Sequence, residues 1–245
     1  EMHTNQLHST HIATGADLVV GLAAYTFPVG CSLCLLPARK LLVTGGCDSM
    51  FDVLDEAAIV DSTKDFAVTK KNHTLHSRYI HGSAYWHGCV YIIGGSNRKP
   101  LGSCERYSID RDTWEEVSSL PEASWGPSVA IDDQRECLYA YGGNSGTPHG
   151  LIQKLDLTAL EWVLLEIRLP FEGWFISTFN IDSDHIALVH KSIIFSMCLK
   201  SNKVKQVKSL KSVVGAHRSC LYSKGVLYCS IEFGAVFKYQ IGNME

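Results

Sequence analysis

Short apolar stretches of four to seven residues, separated by Gly, Pro, Asn, Asp and Ser, run along most of the chain. Such stretches are typical of β-strands bounded by turns. Tight hairpin turns are predicted at 108–113, whose Asp residues suit a turn, and at 156–161. Since no stretch keeps a helical apolar period, helices should be scarce. The pattern therefore predicts an all-β protein.

Three Gly-Gly doublets, each preceded by a short apolar run, mark a repeat. The doublets begin at Gly45, Gly94 and Gly142, so the steps between them are 49 and 48 residues. A glycine doublet at a strand end lets the backbone bend and pack closely where a side chain would collide. Each repeat therefore contains a strand that ends where the backbone can pack closely against a neighbouring segment.

A second landmark follows each doublet in the same phase: a large apolar residue and, seven positions later, an aromatic one. The pairs are Ile59 and Phe66, Tyr107 and Trp114, and Leu155 and Trp162. A large aromatic on the last strand of a unit can fill the wedge between neighbouring units, burying about 150–250 Å². The seven-residue step recurs at Met197 and Val204, with a turn between them, although the glycines are lost there.

Each unit of about 48 residues supplies about four strands, which predicts the blade of a β-propeller. Four-stranded blades are expected at 29–70, 79–118, 125–166 and 175–208. The last stretch holds only three predicted strands, at His217–Tyr222, Gly225–Ser230 and Ala235–Ile241.

A strand near Asp17–Tyr25 is expected to complete this last blade and close the ring. We therefore predict one propeller domain over 1–245 with five blades, six being the alternative. Residues 1–15 are expected to be flexible or irregular, since chain termini usually are.

Apolar runs that end in Gly-Gly and are followed by a spaced Tyr and Trp resemble the kelch repeat. The resemblance is strong over 40–165 and faint over 175–245. It departs from the kelch pattern at Ile59 and Leu155, which stand at the Tyr position, and at Phe66, which stands at the first Trp position. The resemblance implies a kelch-type β-propeller.

Composition and charge narrow the class of partner. The chain has 22 Lys and Arg against 25 Asp and Glu, a net charge of −3 and a pI near 6.4. Nucleic acids call for clustered basic residues, so they are not expected as partners. The nine scattered cysteines suit free thiols in a reducing compartment better than a disulfide framework, which predicts a cytoplasmic protein.

An uncharged stretch from Leu18 to Leu36 meets the crude length criterion for a membrane span. Gly21, Pro28 and Gly30 interrupt it. We therefore predict two buried strands joined by a turn, with a membrane or targeting segment as the alternative, and no membrane insertion.

Motifs for chemistry are few. Cys31 and Cys34 form a C-x-x-C in a predicted strand, but no second pair completes a tetrahedral set, so structural thiols are expected and no metal site. The chain has no nucleophile elbow, phosphate-binding loop or dinucleotide fingerprint. We expect no catalytic residues, no cofactor and no small-molecule ligand.

In kelch proteins, the connections between blades and the loops after Gly-Gly meet at one end of the ring. The resemblance therefore implies a non-catalytic module that binds a peptide or loop of a protein partner there, as a substrate adaptor or scaffold. Alternatives are a kelch-type enzyme, an oxidase or mutarotase with a metal or sugar in the central channel, and a structural component of a larger assembly.

Candidate binding residues are those at matched positions on these connections and loops, because aromatics offer rigid contact area and arginines offer forked donors. They are Arg78, Tyr79, Arg98, Trp125, Asn144, His149, Trp174, Phe175, His217 and Arg218. Packing in the channel or between blades is an equal alternative for Trp125 and Trp174. An unpaired buried guanidinium is costly, so Arg78, Arg98 and Arg218 should reach solvent, a partner or an acidic neighbour.

Overall fold

The fold comes from a computed structural model, which describes most of the chain in full and its two ends as strands only. Backbone and side chains are described over 26–174, 176–191 and 193–209. Backbone strands alone are described at 6–11, 16–21, 217–223, 226–231 and 236–240. Over these ranges the regular structure is β-strand apart from one short 3-10 turn, Ser62–Lys64, so the all-β prediction is confirmed.

Four antiparallel sheets have four strands each, joined in chain order. The first contains β3 (Ser32–Leu36), β4 (Lys40–Thr44), β5 (Ala57–Asp61) and β6 (Ala67–Lys71). The second contains β7 (Gly82–Trp86), β8 (Cys89–Ile93), β9 (Cys104–Ser108) and β10 (Thr113–Val117). The third contains β11 (Ser128–Asp132), β12 (Cys137–Tyr141), β13 (Ile152–Asp156) and β14 (Glu161–Leu164). The fourth contains β15 (Ser177–Asn180), β16 (His185–His190), β17 (Ile193–Cys198) and β18 (Lys203–Ser209).

Two smaller sheets lie at the ends of the chain. The C-terminal sheet contains β19 (His217–Ser223), β20 (Val226–Ile231) and β21 (Val236–Gln240). The N-terminal strands β1 (Gln6–His11) and β2 (Ala16–Gly21) form a hairpin. Strand β1 lies within residues 1–15, which were expected to be flexible or irregular. It forms a strand there because a short connection lets neighbouring strands pair locally.

Ring closure is the part of the predicted architecture that these pairings do not show. Strand β2 overlaps the segment expected to complete the C-terminal sheet, yet among the described strands it pairs with β1. The described part of the C-terminal sheet keeps three strands. Closure by an N-terminal strand and the number of blades therefore stay predictions.

The sheets stack face to face in chain order, and the apolar core lies between them. The first strands β3, β7, β11, β15 and β19 lie side by side in that order. Between the first two sheets, Leu36 and Leu42 pack against Val90, Ile92 and Tyr107. Equivalent clusters lie between the second and third sheets and between the third and fourth. This is the blade packing that the repeat predicts.

The two tryptophans of the repeat fill the wedge between sheets, as predicted. The ring of Trp114 lies 4.8 Å from that of Tyr107, directly opposite on the next strand, and packs on the core between the first two sheets. Its indole N–H donates to the Asn72 carbonyl at 2.8 Å. Trp162 packs on the next core and donates to the Ser118 carbonyl at 2.9 Å. Each tryptophan thus ties its sheet to the connection before it.

In the first sheet the predicted landmark pair is wrong. Ile59 does not face Phe66; the residues that take the places of Tyr107 and Trp114 are Val60 and Val68, which lie opposite each other. The 3-10 turn between β5 and β6 lengthens the hairpin by one residue, which shifts the pairing. In the fourth sheet Met197 and Val204 lie opposite each other, as predicted.

Candidate functional site

The glycine doublets attach each sheet to the start of the next one. The first glycine of each doublet has φ near +60°, and a Cβ there would overlap a backbone carbonyl of the following connection, so only glycine fits. The second glycine donates its N–H to that same carbonyl. These bonds run from Gly46 to Arg78 (2.8 Å), from Gly95 to Ser124 (2.8 Å) and from Gly143 to Gly173 (2.7 Å).

Next along the chain, the first residue of the second blade and that of the third blade each pair with the loop after the glycine doublet of the same blade. Tyr79 exchanges two backbone hydrogen bonds with Ser96, and Trp125 does the same with Asn144. Because Gly173 takes the place of Ser124, the blade start equivalent to Trp125 is Trp174. The predicted start of the fourth blade, residue 175, is therefore one residue late.

These bridges bring the blade starts and the post-glycine loops to one end of the sheets, which we call the loop face. Trp125 and Trp174 are half-buried, and their rings lie 5.1 Å apart across neighbouring blades. Tyr79 is also half-buried at its blade start. All three aromatics therefore keep accessible surface while packing against the scaffold.

Arg98 stands exposed at the tip of the second post-glycine loop. Its φ is +63°, and Gly146 takes the same position in the third loop with φ +118°. The amide of Asn97 donates to Ser77 Oγ at 2.9 Å, which ties this loop to the preceding connection. The backbone thus presents the Arg98 guanidinium to solvent, as predicted.

Asn144 and His149 are buried within the third post-glycine loop. The side chain of Asn144 accepts the N–H of Gly146 at 2.7 Å, and the His149 N–H donates to Gly143 at 3.0 Å. Burial lowers the pKa of His149. Both residues shape the loop and leave little surface for a partner. The side chains of Phe175, His217 and Arg218 lie outside the described residues.

Arg78 is a correction to the prediction. It has an acidic neighbour, as expected, but its side chain is fully buried and cannot contact a partner. The guanidinium donates to the carbonyls of Gly94 (2.7 Å) and Ser103 (2.9 Å) and forms an ion pair with Glu105. A buried cation is tolerated only where such partners replace water. Arg78 therefore holds the loop face together from beneath.

Glu105 is the residue that sequence reasoning missed. It is fully buried on β9, and besides Arg78 it accepts the backbone N–H groups of Leu75 (2.7 Å) and His76 (3.1 Å). Gln153 holds the equivalent place on β13 and pairs its amide with the backbone of Glu122. In both repeats one polar side chain fixes the connection that enters the blade. The signal available in the sequence was that Glu105 and Gln153 occupy the same position on the third strand of their sheets.

His81 lies buried at the start of β7, behind the loop face. Its Nε2 lies 2.8 Å from Thr44 Oγ1 on the first sheet. Burial, together with the nearby Arg78 cation, lowers the pKa of His81 to about 3. The imidazole is therefore neutral at physiological pH and joins two sheets.

The seven cysteines whose side chains the structure describes are free thiols in contrasting surroundings. Burial raises the pKa of Cys31 to about 11 and that of Cys34 to about 12. A hydrogen bond from Ser201 lowers the pKa of Cys198 to about 7. Within the described ranges, no group of three or more His, Cys, Asp or Glu is placed to hold a metal ion.

The uncharged N-terminal stretch contributes strands to the structure. Ala16–Gly21 and Ser32–Leu36 are β2 and β3, so two strands form there as predicted. Strand β3 buries Cys34 and Leu36 but leaves Leu33 and Leu35 exposed, so it is buried on one face only. Among the described residues, no helix has the length and apolar character to cross a bilayer.

Four-stranded sheets that stack in chain order, each joined to the next through a glycine doublet, define the fold as that of a β-propeller. A family model described as the kelch motif matches residues 77–121, which include the whole second sheet. This part of the chain therefore matches the kelch motif, in agreement with the resemblance in its sequence.

Several curated proteins are similar to part of the chain. Kelch-like protein 38 of Rattus norvegicus is 37% identical over 99 residues, which is 39% of this chain. A kelch repeat-containing protein of Dictyostelium discoideum is 32% identical over 112 residues, or 42% of the chain. Kelch-like protein 36 of Bos taurus is 31% identical over 108 residues, or 41% of the chain. The matched region covers 17% of the length of each relative.

Proposed function

We propose that the protein is a non-catalytic interaction module that binds a peptide or loop of a protein partner on its loop face. The observation that carries this proposal is the meeting of exposed Arg98 with half-buried Tyr79, Trp125 and Trp174 at one end of the sheets. Aromatic and arginine side chains dominate the energy of protein interfaces. An adaptor or scaffold role in the cytoplasm is part of the proposal.

The scaffold beneath these residues supports the proposal. Hydrogen bonds from the glycine doublets and the Arg78–Glu105 pair hold the blade starts in place before any partner arrives. A surface ordered in advance loses little conformational entropy on binding, which favours affinity. The exposed guanidinium of Arg98 offers two parallel donors to a partner carboxylate. We therefore expect affinity from the aromatics and orientation from Arg98.

The experiment is affinity capture from a cell extract with the purified full chain, followed by measurement of direct binding to the purified captured protein. Arg98→Glu and Trp174→Ala should each weaken binding at least tenfold. The matched control is Arg111→Glu, the same charge change on an exposed residue in the β9–β10 turn, at the opposite end of the second sheet. That control should bind like wild type.

Circular dichroism and thermal unfolding must first show that each variant is folded. Equal binding by wild type, Arg98→Glu and Trp174→Ala would contradict the proposed face. Loss of binding in Arg111→Glu would move the binding surface to the other end of the sheets.

A further inference from the structure

The first post-glycine loop is longer than its counterparts and ends in two apolar side chains. In the first sheet Cys47 bridges to Val53, six positions later, whereas the equivalent bridges of the second and third sheets join residues four positions apart, Ser96 to Pro100 and Asn144 to Pro148. The two extra positions allow Met50 and Phe51 to project, with exposures of 76% and 79%. They are the most exposed large hydrophobic residues in the described part of the chain.

This loop is fixed by its own hydrogen bonds. The carboxylate of Asp48 accepts the N–H groups of Met50 (2.8 Å) and Asp52 (2.9 Å). The backbone closes the turn from Asp48 N–H to Asp52 (3.1 Å) and from Phe51 N–H to Asp48 (3.2 Å). Phe51 has φ +64°, a conformation that an aromatic residue adopts at a cost in free energy. The loop therefore holds its apolar tip in one conformation.

The base of the loop is clamped to the blade start. Val29 and Cys47 exchange backbone hydrogen bonds of 2.9 and 2.8 Å, and the Leu54 N–H donates to Gly46 at 2.8 Å. Val29 is itself 49% exposed. The apolar tip thus stands on a rigid base at the edge of the loop face.

The charge that the loop itself carries has one sign. The segment 47–54 contains Asp48 and Asp52 and no Lys or Arg. These carboxylates flank the apolar pair on both sides. A partner that covers Met50 and Phe51 must bring apolar surface to the centre and positive charge to the rim. The same carboxylates disfavour an anionic membrane surface, which would repel them.

We propose that Met50 and Phe51 form an apolar anchor for a protein segment in which a large apolar side chain has Lys or Arg beside it. This inference rests on the proposed function and gives its partner a chemical class. Contact removes both side chains from water, and the ordered loop makes that gain without loss of its own freedom. The carboxylates of Asp48 and Asp52 select the basic neighbours and lose influence as salt rises.

The test is a peptide-display selection on the immobilised full chain, followed by fluorescence anisotropy with the most enriched peptide. Enriched peptides should carry an apolar residue with Lys or Arg within two positions. The double variant Met50→Ser/Phe51→Ser should weaken binding at least tenfold. Asp52→Asn should weaken it severalfold at low salt and leave it unchanged at high salt. Val163→Ser, a matched exposed apolar change on the outer strand β14, should bind like wild type.

The alternatives give distinct results. Acidic enriched peptides, or full binding by the double variant together with loss in Arg98→Glu, would overturn the anchor and leave the loop-face proposal standing. Failure to enrich any peptide, or binding that neither variant changes, would overturn both proposals. If sedimentation shows a wild-type dimer that Met50→Ser/Phe51→Ser dissociates, the tip is a self-interface and the inference is wrong.

Discussion

The buried pair of Arg78 and Glu105 allows the sharpest test of how the loop face is built. Both side chains are fully buried, and together they bind the carbonyls of Gly94 and Ser103 and the backbone N–H groups that enter the second blade. Removing one member of a buried ion pair leaves the other charge without compensation, which costs about 3–5 kcal/mol. We therefore expect Glu105→Gln and Arg78→Ser each to lower the free energy of unfolding by that amount.

The third blade shows what a neutral version looks like. There Ser124 Oγ donates to the Gly142 carbonyl at 3.3 Å, in the place of Arg78, and Gln153 binds the connection in the place of Glu105. The double variant Arg78→Ser/Glu105→Gln copies this arrangement into the second blade and leaves no charge buried. The free energy of unfolding that the double variant loses should be smaller than the sum of the losses of the two single variants, and the difference, the coupling energy, should be at least about 2 kcal/mol.

Urea unfolding, followed by circular dichroism and tryptophan fluorescence, measures all four proteins. The control is Glu115→Gln, which breaks the exposed pair of Arg106 and Glu115 (2.6 Å) in the same sheet. That change should cost less than about 1 kcal/mol. Additive losses in the double variant, or a Glu105→Gln loss no greater than that of Glu115→Gln, would refute the reasoning.

Three further predictions follow from single residues. Gly142→Ala should cost more than about 3 kcal/mol because its Cβ overlaps a carbonyl, whereas Gly88→Ala, with positive φ but open space, should cost about 1–2 kcal/mol in the same urea titration. The low pKa of His81 means that the unfolded state binds more protons between about pH 6.5 and 3, so stability falls with falling pH there. Between pH 6.5 and 4.5, the free energy of unfolding of His81→Gln should fall by about 2–3 kcal/mol less than that of wild type. Equal falls in the two proteins would exclude this contribution of His81 to the pH dependence. Iodoacetamide at pH 7.5 should alkylate Cys198 at least tenfold faster than Cys104, whose pKa burial raises to about 11; equal rates by mass spectrometry would contradict the assigned environments.

Most of the fold could be predicted because its signals are local and periodic. The doublets at Gly45, Gly94 and Gly142 recur at blade length, and the predicted blade bounds agree with the sheets to within a few residues. The pairing in the first sheet could not be predicted from residue spacing. The turn at Ser62–Lys64 makes this hairpin one residue longer than that of the second sheet, so Val60, and not Ile59, takes the place of Tyr107 and lies opposite Val68.

The candidate site was harder to predict because burial depends on distant partners. The cost of burying an arginine predicted solvent, a partner or an acidic neighbour for Arg78, but not which of these, because Glu105 lies 27 residues away, on β9. Nothing local to either residue announces their contact. The exposed pair Met50 and Phe51 was missed for a different reason. These two apolar residues lie among turn-forming residues, and an analysis of strand periodicity does not consider apolar residues in turns.

Hydrogen exchange of the full chain, with and without the most enriched display peptide, tests the loop face most directly. Our account predicts slower exchange in the post-glycine loops and at the blade starts Tyr79 and Trp125. It predicts no change in the hairpin turns at the opposite end of the sheets. Protection confined to those turns or to the outer strands would contradict it.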